Sequence, residues 1–473
     1  MITTGRYMVA TRNISALEVI LSEVAAAVGP KLEHDPVCVE CLAELDTRHQ
    51  LISCPLCGLP FCSVKCRDSR RLHSAECSVL ASCQPPLTRE DLHRDSGVLA
   101  SVTAVRLLKL RDKDPDLFQR VDMLMDNVDK LRESSDWARQ EKCVEFLSKR
   151  CGDKSLTGGD VHRALGIFAS NSCSLASYRG RGLFPTFSLI NHSCVRNARH
   201  IVTSDQRLME VVAQRDIRAG EEINVRYTSG WLELDRREQI RSQWYFDCDC
   251  VRCSDPTDCQ TFSSAIVCAK CRHGLVLPQS GDLWRCEDCQ QQYLPAHIDK
   301  VISKLKILLD KTPRKDPEKL ENFLKIATKF VHSNHCLLID VKKSLLALYG
   351  SPLSPSLISR KLELAEEILA VQDKLDPGMT TWRGQILYDV TRFRLMLALQ
   401  GAQAGQISTG DCITRLEEAA GALETAVGSI TGERVGEKGR SLRQRLTSLA
   451  KAQILGDGYK MLLQASLKMP FIK

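Results

Sequence analysis

Long apolar runs are missing from this chain, and its start also lacks the apolar stretch of a secretory signal. The first residues read MITTGRYMVATRN, and no later run has enough consecutive apolar residues to cross a bilayer. We therefore expect no membrane span. We also expect a reducing compartment, in which cysteine pairs at short spacing bind metal far more often than they form disulfides.

Aromatic residues and net charge are also scarce. Aromatics make up 5% of the chain, and the net charge is +7 across 65 basic and 58 acidic residues. Lys65, Arg67, Arg70 and Arg71 form one basic cluster, but no aromatic residues are interleaved with them for base stacking. A solvated helix face is the more common origin of such a cluster. We therefore do not expect nucleic acid as a partner.

Cysteine, in contrast, is plentiful, with 22 residues in a chain of 473. Eight zinc-type ligands between positions 38 and 77 form four chelating pairs: Cys38 with Cys41, Cys54 with Cys57, Cys62 with Cys66, and His73 with Cys77. Such short gaps let each pair chelate from a single turn. In a cross-braced finger the first and third pairs hold one ion, and the second and fourth pairs hold another. A disulfide framework is the alternative, and the expected reducing compartment disfavours it.

Two further zinc sites follow in the middle of the chain. Cys248, Cys250 and Cys253 supply three ligands, and the best fourth donor is Cys194. The other site has the two-knuckle spacing of a zinc ribbon, formed by Cys268, Cys271, Cys286 and Cys289. Cys259 and His273 are possible substitutes for a ribbon ligand, but neither fits a knuckle. The sequence therefore predicts four zinc ions per chain.

Seven cysteines remain outside these sets: Cys83, Cys143, Cys151, Cys173, Cys259, Cys336 and Cys412. Each is most simply a small buried apolar residue. No neighbouring base or electropositive segment marks any of them as a nucleophile. We therefore do not expect cysteine catalysis.

Three motifs resemble those of a known family. The eight-ligand finger resembles a MYND finger, Asn191-His192-Ser193-Cys194 resembles the NHSC motif of SET methyltransferases, and the segment 220–227, GEEINVRY, is similar to their GEExxxxY motif. Cys248, Cys250 and Cys253 match the post-SET cysteines. Together these motifs resemble the SET-and-MYND (SMYD) protein-lysine methyltransferases. Asp255-Pro256-Thr257 and the added ribbon resemble the arthropod SmydA branch.

This resemblance implies an α+β fold with a discontinuous SET domain. A split SET β-fold would enclose a MYND zinc finger and a helical insert, followed by a post-SET zinc site, a zinc ribbon and a C-terminal α-helical TPR-like domain. The ranges are 1–37 for the first SET part, 38–77 for the finger, 78–165 for the helical linker and insert, 166–230 for the SET core, 231–260 for the post-SET part, 261–295 for the ribbon and 296–473 for the helical domain.

Local patterns agree with this order of parts. They predict strands at 7–10, 19–23, 198–203, 208–213 and 223–227, with a hairpin turn at 204–206. Helical spacing covers 96–150 and recurs at 298–310, 317–331, 337–349, 356–374, 380–400 and 413–430. The last six helices lack a strict tetratricopeptide period of about 34 residues. They either wall one side of the substrate groove or bind partner peptides.

The resemblance also implies an activity and its residues. A methyl group would pass from S-adenosylmethionine to a lysine amine by in-line displacement, with positioning supplying most of the acceleration. Tyr227 would be the catalytic residue and would also border the cofactor. The other cofactor contacts would come from Arg6, Asn171, Asn191, His192 and Phe246. For Phe246, stacking on adenine and packing beneath the zinc cluster are both open.

Two positions depart from the family pattern. The chain reads Gly5-Arg6-Tyr7-Met8 where the family reads Gly-x-Gly-Leu, which places a large side chain where a second glycine lets the backbone approach the cofactor. Trp244 stands where many active members have a second channel tyrosine. A SET and MYND adaptor with little transfer activity, acting in transcriptional regulation, is therefore the alternative function. The expected partners are protein substrates and finger-bound peptides, for a monomer in cytoplasm and nucleus.

Overall fold

A computed structural model of the chain describes residues 5–429, apart from 32–35, 47–50, 93–96, 152, 154, 176–178, 203–206, 229, 231–235, 280–282 and 350–353. The predicted turn at 204–206 and the part of the helical domain from 430 to 473 lie outside the described residues. The elements mix strands and helices, as an α+β fold requires.

The chain opens with two strands and then forms the finger. The strands are β1 (Val19–Val24) and β2 (Ala27–Pro30). The finger contains β3 (Ile52–Ser53), β4 (Pro60–Phe61), α1 (Val64–Ser69) and α2 (Ser74–Leu80). The hydroxyl of Ser63 caps α1 by accepting a hydrogen bond from the backbone N–H of Cys66 at 3.1 Å. This cap fixes the turn that carries two of the zinc-type ligands.

A run of helices follows the finger, after a 3₁₀ turn at Arg89–Leu92. The helices are α3 (Val98–Leu108), α4 (Leu110–Lys113), α5 (Pro115–Asp122), α6 (Val128–Leu131), α7 (Ser135–Arg150) and α8 (Gly158–Asn171). Every residue of α3 is buried, so this helix is a central core element. Gly97 precedes α3 at a φ of 79°, where a Cβ atom would lie 2.6 Å from the carbonyl oxygen of Lys142. Only glycine fits there. Helix α8 runs across the boundary predicted at 165.

The second group of strands completes three small sheets. These strands are β5 (Cys173–Ser174), β6 (Gly180–Leu183), β7 (Asn191–His192), β8 (Ala198–Val202), β9 (Leu208–Ala213) and β10 (Asn224–Val225), with a 3₁₀ turn at Phe187–Leu189. Antiparallel pairing gives the orders β1-β9-β8 and β2-β6-β5, whereas β7 and β10 pair in parallel. The two strands from the start of the chain therefore join strands from beyond the finger and insert, so the β-fold is discontinuous in sequence.

A short helical stretch and a four-stranded sheet come next. The helices are α9 (Arg236–Trp244) and α10 (Val251–Ser254). The sheet is antiparallel in the order β11-β12-β13-β14, with β11 (Ile266–Val267), β12 (Leu275–Pro278), β13 (Trp284–Cys286) and β14 (Gln292–Tyr293). This sheet occupies the range predicted for the ribbon.

Six helices form the rest of the described chain. They are α11 (Pro295–Asp310), α12 (Pro317–Ala327), α13 (Cys336–Leu348), α14 (Pro355–Leu375), α15 (Thr381–Gln403) and α16 (Thr409–Ser429). Each begins and ends within a few residues of a helix predicted from the sequence, and each packs on the next along the chain. Whether the stack is TPR-like stays a prediction. Among the helices that the structure describes, none combines the length and the apolar content that a membrane crossing requires.

Buried apolar residues form three main clusters. The finger shares one cluster with α3, α7 and α8, in which Leu59 and Phe61 belong with Val102 and Val105. A second cluster lies within the β-fold around Ile190 and Val225. The third joins the ribbon to the C-terminal helices. The finger is therefore built into the molecule and does not stand apart from it.

Seven cysteines outside the metal sets were predicted to be small buried apolar residues, and two of them have a further role. Cys83 and Cys151 are buried but joined in a disulfide, with their Cα atoms 4.2 Å apart. They lie 68 residues apart in sequence, beyond the ends of α2 and α7, so only the tertiary packing brings them together. Cys143, Cys336 and Cys412 are buried, as predicted, whereas Cys173 and Cys259 are half-buried.

Candidate functional site

The parallel pair β7 and β10 brings two of the recognised motifs together. Asn191 lies opposite Asn224, and His192 lies opposite Val225. The backbone N–H of Ser193 donates to the carbonyl oxygen of Val225 at 2.9 Å, which extends the pairing beyond β7. Since Tyr227 follows β10 by two residues, this register places it next to the Asn-His pair.

Tyr227 is held at both its backbone and its hydroxyl. Its backbone N–H donates to Nδ1 of His192 at 2.9 Å, and its hydroxyl donates to the carbonyl oxygen of Ile190 at 2.7 Å. The rings of Tyr227 and His192 lie 5.3 Å apart. Burial, together with the nearby charge of Glu222, raises the pKa of Tyr227 to about 12. The phenol is therefore protonated at neutral pH and takes part in hydrogen bonds as a hydroxyl group.

The two glutamates before Tyr227 fasten the surrounding segments. Oε1 of Glu222 accepts from the side-chain amide of Asn191 at 3.0 Å, and Glu222 also forms a β-bridge with Val9. Glu221 accepts from the amide of Asn197 at 3.0 Å and from the guanidinium of Arg215 at 2.6 Å. Burial alone would raise the pKa of Glu221, but these hydrogen bonds lower it overall. Both acids therefore act as structural acceptors around β10.

Aromatic side chains form one wall beside Tyr227. The rings of Trp244 and Tyr227 are 5.2 Å apart and tilted, and the ring of Phe246 lies 6.3 Å from that of His192. Phe246 is 37% exposed, so one part of its ring is open to solvent. We use the name candidate site for Asn191, His192, Tyr227, Trp244 and Phe246.

Arg6 and Asn171 contact a different segment. The guanidinium of Arg6 donates to the carbonyl oxygen of Met123, and the side-chain amide of Asn171 donates to that of Met125 at 2.7 Å. The side chains of these two methionines are largely exposed, at 54% and 67%. Met123 and Met125 could not be identified from the sequence, because they lie between two helices of the insert and belong to no motif. The predicted cofactor residues thus divide into two groups.

The predicted metal ligands come together in four groups. Within each group all ligand atoms lie within 4.8 Å of one another, and the groups are Cys38-Cys41-Cys62-Cys66, Cys54-Cys57-His73-Cys77, Cys194-Cys248-Cys250-Cys253 and Cys268-Cys271-Cys286-Cys289. The first two have the cross-braced arrangement. Among the described residues, Cys259 belongs to no such group, whereas exposed His273 forms a further cluster with Cys271 and Asp288.

Sulfur spacings in these groups fit a tetrahedral ion. Zn–S bonds of about 2.3 Å at tetrahedral angles place two sulfur atoms about 3.8 Å apart. The Sγ atoms of Cys54 and Cys77 are 3.7 Å apart, and those of Cys194 and Cys253 are 3.6 Å apart. In the ribbon, Sγ of Cys268 lies 3.6 Å from that of Cys289. The donor sets and their spacing therefore fit zinc, with no rearrangement of the backbone.

A buried chain of polar side chains supports His73, one of the predicted metal ligands. Its Nδ1 atom lies 3.0 Å from Oε1 of Glu76, which leaves Nε2 to face the Cys57 sulfur at 3.5 Å. Glu76 in turn accepts from Nε of Arg106 at 2.8 Å, and Arg106 donates to the carbonyl oxygens of Val28 at 2.9 Å and Val39 at 2.7 Å. Such partners orient a metal-binding imidazole. The sequence analysis missed Glu76 and Arg106, although Glu76 lies one helical turn after His73.

The third metal cluster touches the candidate site. Nε2 of His192 lies 3.4 Å from Sγ of Cys194. The guanidinium of Arg226, which precedes Tyr227, donates to the carbonyl oxygen of Cys194 at 3.0 Å. The loop that contains Cys194 therefore contacts two of the three segments of the candidate site, at His192 and next to Tyr227.

Comparisons with known proteins agree with this geometry. Residues 5–228 match the SET domain family. The Drosophila melanogaster "SET domain-containing protein SmydA-8, isoform A" is 28% identical over 82% of this chain and 86% of its own length. The mouse "Histone-lysine N-methyltransferase SMYD3" is 29% identical over 46% of this chain and 51% of its length. The Arabidopsis thaliana "Histone-lysine N-methyltransferase ASHR1" is 25% identical over 73% of this chain and 76% of its length.

Proposed function

We propose that this chain belongs to the SET-and-MYND (SMYD) family of SET-domain proteins, on its SmydA branch, and that it is a protein-lysine N-methyltransferase. The observation that carries the proposal is the meeting of Tyr227 with Asn191 and His192 across the parallel pair β7 and β10. The names of the mouse and Arabidopsis relatives support the same reaction. Its substrates would be lysine side chains of histones or other proteins.

The proposed methyl donor is S-adenosylmethionine, which supplies a sulfonium methyl group for in-line transfer to an amine. The residues at the candidate site fit this molecule. The part-exposed ring of Phe246 offers a flat apolar face suited to an adenine. Asn191 and His192 would hold the donor by polar contacts near Phe246. Arg6 and Asn171 would border the donor from the side of Met123 and Met125.

Tyr227 would act on the reacting centre through its hydroxyl group. Its proton is donated to the carbonyl oxygen of Ile190, so the phenol oxygen keeps lone pairs for a polar contact with the lysine amine. Trp244 packs on the same ring and would exclude water from it. A lysine ammonium that enters a dry site beside a positive charge has a lowered pKa, so this scheme needs no dedicated strong base.

Zinc would serve as a structural ion in all four cysteine clusters. None of these clusters combines three protein ligands with an open position, which is the arrangement of catalytic zinc sites. The cluster at Cys194 would hold the post-SET segment, and thus Trp244 and Phe246, against the Asn-His pair. Metal analysis of the purified full-length chain is expected to find four zinc ions per molecule.

The finger would contribute a surface for peptide partners. Two apolar side chains of the finger, Leu56 and Val64, are 60% and 49% exposed. Each lies next to metal ligands, so their positions are rigid once zinc is bound. An exposed apolar patch on a rigid support would suit peptide binding, and these two side chains are the candidates for such a patch. A Leu56→Ser, Val64→Ser double variant should lose finger-bound partners while keeping its four zinc ions.

Methyl transfer to candidate proteins tests the main proposal. The full-length, zinc-loaded chain is incubated with histones and with radiolabelled S-adenosylmethionine, and label in protein is measured. Tyr227→Phe removes only the hydroxyl that donates to Ile190, and we expect it to abolish the signal. Tyr349→Phe is the matched control, because its hydroxyl bonds Glu321 at 2.6 Å within the C-terminal helices. Equal activity of wild type and Tyr227→Phe would contradict the assigned role.

An adaptor without transfer activity is the second candidate function. The observation that favours it is Tyr7, a large side chain that is 52% exposed and stands where the family pattern has its second glycine. The ring of Trp244 beside Tyr227 could also restrict entry of a lysine side chain. If the adaptor is correct, neither wild type nor Tyr7→Gly should transfer methyl groups, whereas partners of the finger would still bind.

A further inference from the structure

One carboxylate of the C-terminal helices is buried among side chains of the SET domain. Asp376 follows the end of α14, and its side chain is 2% exposed. Its Oδ1 atom accepts from Arg226 at 2.9 Å, from Arg196 at 3.2 Å and from the side-chain amide of Gln214 at 3.2 Å. Burial alone would raise the pKa of Asp376, but the charges of Arg226 and Arg196 lower it overall. The group is therefore an anion at neutral pH.

Arg226 is the side chain that links this carboxylate to the candidate site. It is 6% exposed and directly precedes Tyr227. Besides Asp376, its guanidinium donates to the carbonyl oxygen of Cys194 at 3.0 Å and to that of Leu375 at 3.3 Å. The guanidinium of Arg226 thus connects three parts of the molecule. These are the end of α14, the loop that contains Cys194, and the segment that contains Tyr227.

The turn after Asp376 is fixed on the SET domain by further contacts. The amide of Gln214 donates to the carbonyl oxygen of Pro377 at 2.5 Å, and the backbone N–H of Met379 donates to that of Gln214 at 2.6 Å. Gly378 has a φ of 91°, and a Cβ atom there would lie 2.3 Å from the Gln214 carbonyl oxygen. These hydrogen bonds and the close approach at Gly378 hold the turn against the SET domain, and they therefore fix the position of Asp376.

The consequence for Tyr227 follows from electrostatics and from the short link to Arg226. Removing the charge of Asp376 leaves Arg226 buried with two carbonyl oxygens and no anion, which is far more costly than the loss of an exposed ion pair. Arg226 would then move toward solvent and would carry its backbone with it. Since Tyr227 is the next residue, it would move as well, and its hydroxyl would no longer keep its hydrogen bond to the carbonyl oxygen of Ile190. Displacement of a positioned group by about 1 Å can reduce a rate roughly a hundredfold.

We propose that Asp376 is a positioning residue for Tyr227, acting through Arg226, and that the C-terminal helices thereby complete the candidate site. The effect on catalysis rests on the proposed methyltransferase function. The placement of Tyr227 does not depend on that function and can be measured separately.

Fluorine NMR on the full-length, zinc-loaded chain measures that placement. The chain has eight tyrosines, so labelling with 3-fluorotyrosine gives at most eight resonances, and the Tyr227 resonance is the one lost in Tyr227→Phe. Asp376→Asn keeps the shape of the side chain and removes its charge, and we expect the Tyr227 resonance to shift or broaden. Asp373→Asn is the matched control, because Asp373 lies in the last turn of α14, three residues before Asp376, and pairs with Arg383 of α15.

Kinetics then separates positioning from general destabilisation. We expect kcat of Asp376→Asn to fall at least tenfold with KM for S-adenosylmethionine within threefold of wild type, whereas Asp376→Glu recovers part of the loss. If Asp376→Asn fails to fold, Arg226→Lys keeps the charge but loses the planar fork, and it must move the same resonance. An unmoved Tyr227 resonance in a folded variant overturns the proposal. A wild type without transfer activity refutes the methyltransferase function alone, because the resonance still reports the link.

Discussion

The finger at 38–77 and the candidate site are both tied to metal clusters, but they are assembled in opposite ways. All eight predicted metal ligands of the finger lie within one continuous segment, and two ions would define its fold. The candidate site draws Asn191, Tyr227 and Phe246 from three segments, and Arg226 links it to Asp376, 150 residues further along the chain. Local ligand spacing therefore specifies the finger, whereas the candidate site exists only when distant parts of the chain dock correctly.

The largest effect should come from removing the predicted metal ligand that contacts the candidate site, with a ligand of the ribbon as the control. Cys194→Ser and Cys268→Ser are each expected to reduce the zinc content from four ions to three. Only Cys194→Ser should also abolish methyl transfer, because Cys194 contacts His192 and its loop binds Arg226. Zinc analysis and the transfer assay on the same preparations measure both effects. If Cys268→Ser were equally inactive, loss of any zinc ion would be enough to stop transfer, and the specific link between Cys194 and the candidate site would be refuted.

The next effect concerns the buried ion pair that joins the finger to the rest of the molecule. Arg106→Met leaves Glu76 buried without its cation, and we expect the free energy of unfolding to fall by about 3–5 kcal/mol. Denaturant unfolding in the presence of zinc measures this loss. Arg67→Met serves as control, because Arg67 pairs with Asp68 at the surface and its removal should change stability little. If Arg106→Met lowered the free energy of unfolding as little as Arg67→Met does, the stability of the finger would not depend on its ion pair with α3.

The smallest effect tests the helical part, whose end at Leu375 and Asp376 contacts Arg226 next to the candidate site. His335 caps α13 and is fully buried, and burial, with His332 and Lys306 nearby, lowers its pKa to about 4. The unfolded chain, with a pKa near 6.5 for this group, binds more protons between these two values, so stability falls as the pH drops below 6.5.

His335→Asn keeps a capping side chain and removes this titration. Between pH 7.5 and 5.5 the wild type should lose about 1 kcal/mol more stability than the variant. Thermal or denaturant unfolding at the two pH values measures the difference, and effects of acid on the zinc clusters cancel in the comparison. Parallel pH profiles for both proteins would show that His335 is not held neutral by burial.

Sequence and structure agree best where chemistry is local. The four ligand pairs of the finger and the knuckles of the ribbon could be predicted because a metal imposes a short, fixed spacing. The helices of the C-terminal part could be predicted to within a few residues, since apolar spacing repeats at every turn. The pairing of Cys194 with the post-SET cysteines was also predicted, because three adjacent ligands require a fourth.

Contacts between residues that are distant in sequence and belong to no motif could not be predicted from the sequence. The disulfide between Cys83 and Cys151 and the contact of Asp376 with Arg226 join segments whose local patterns are ordinary. Arg6 was predicted at the cofactor, yet the identity of its partner Met123 depends on how the helical insert packs. These contacts depend on tertiary packing, and no period or spacing in a single sequence predicts them.

Calorimetric titration of the zinc-loaded, full-length chain with S-adenosylmethionine is the most direct test of the candidate site. The account predicts one binding site per chain, with affinity reduced at least tenfold in Phe246→Ala and unchanged in the surface variant Leu283→Ala, which removes an exposed apolar side chain of the ribbon region. Absence of binding heat at millimolar S-adenosylmethionine, with four zinc ions present, would contradict the account and would leave the adaptor as the function.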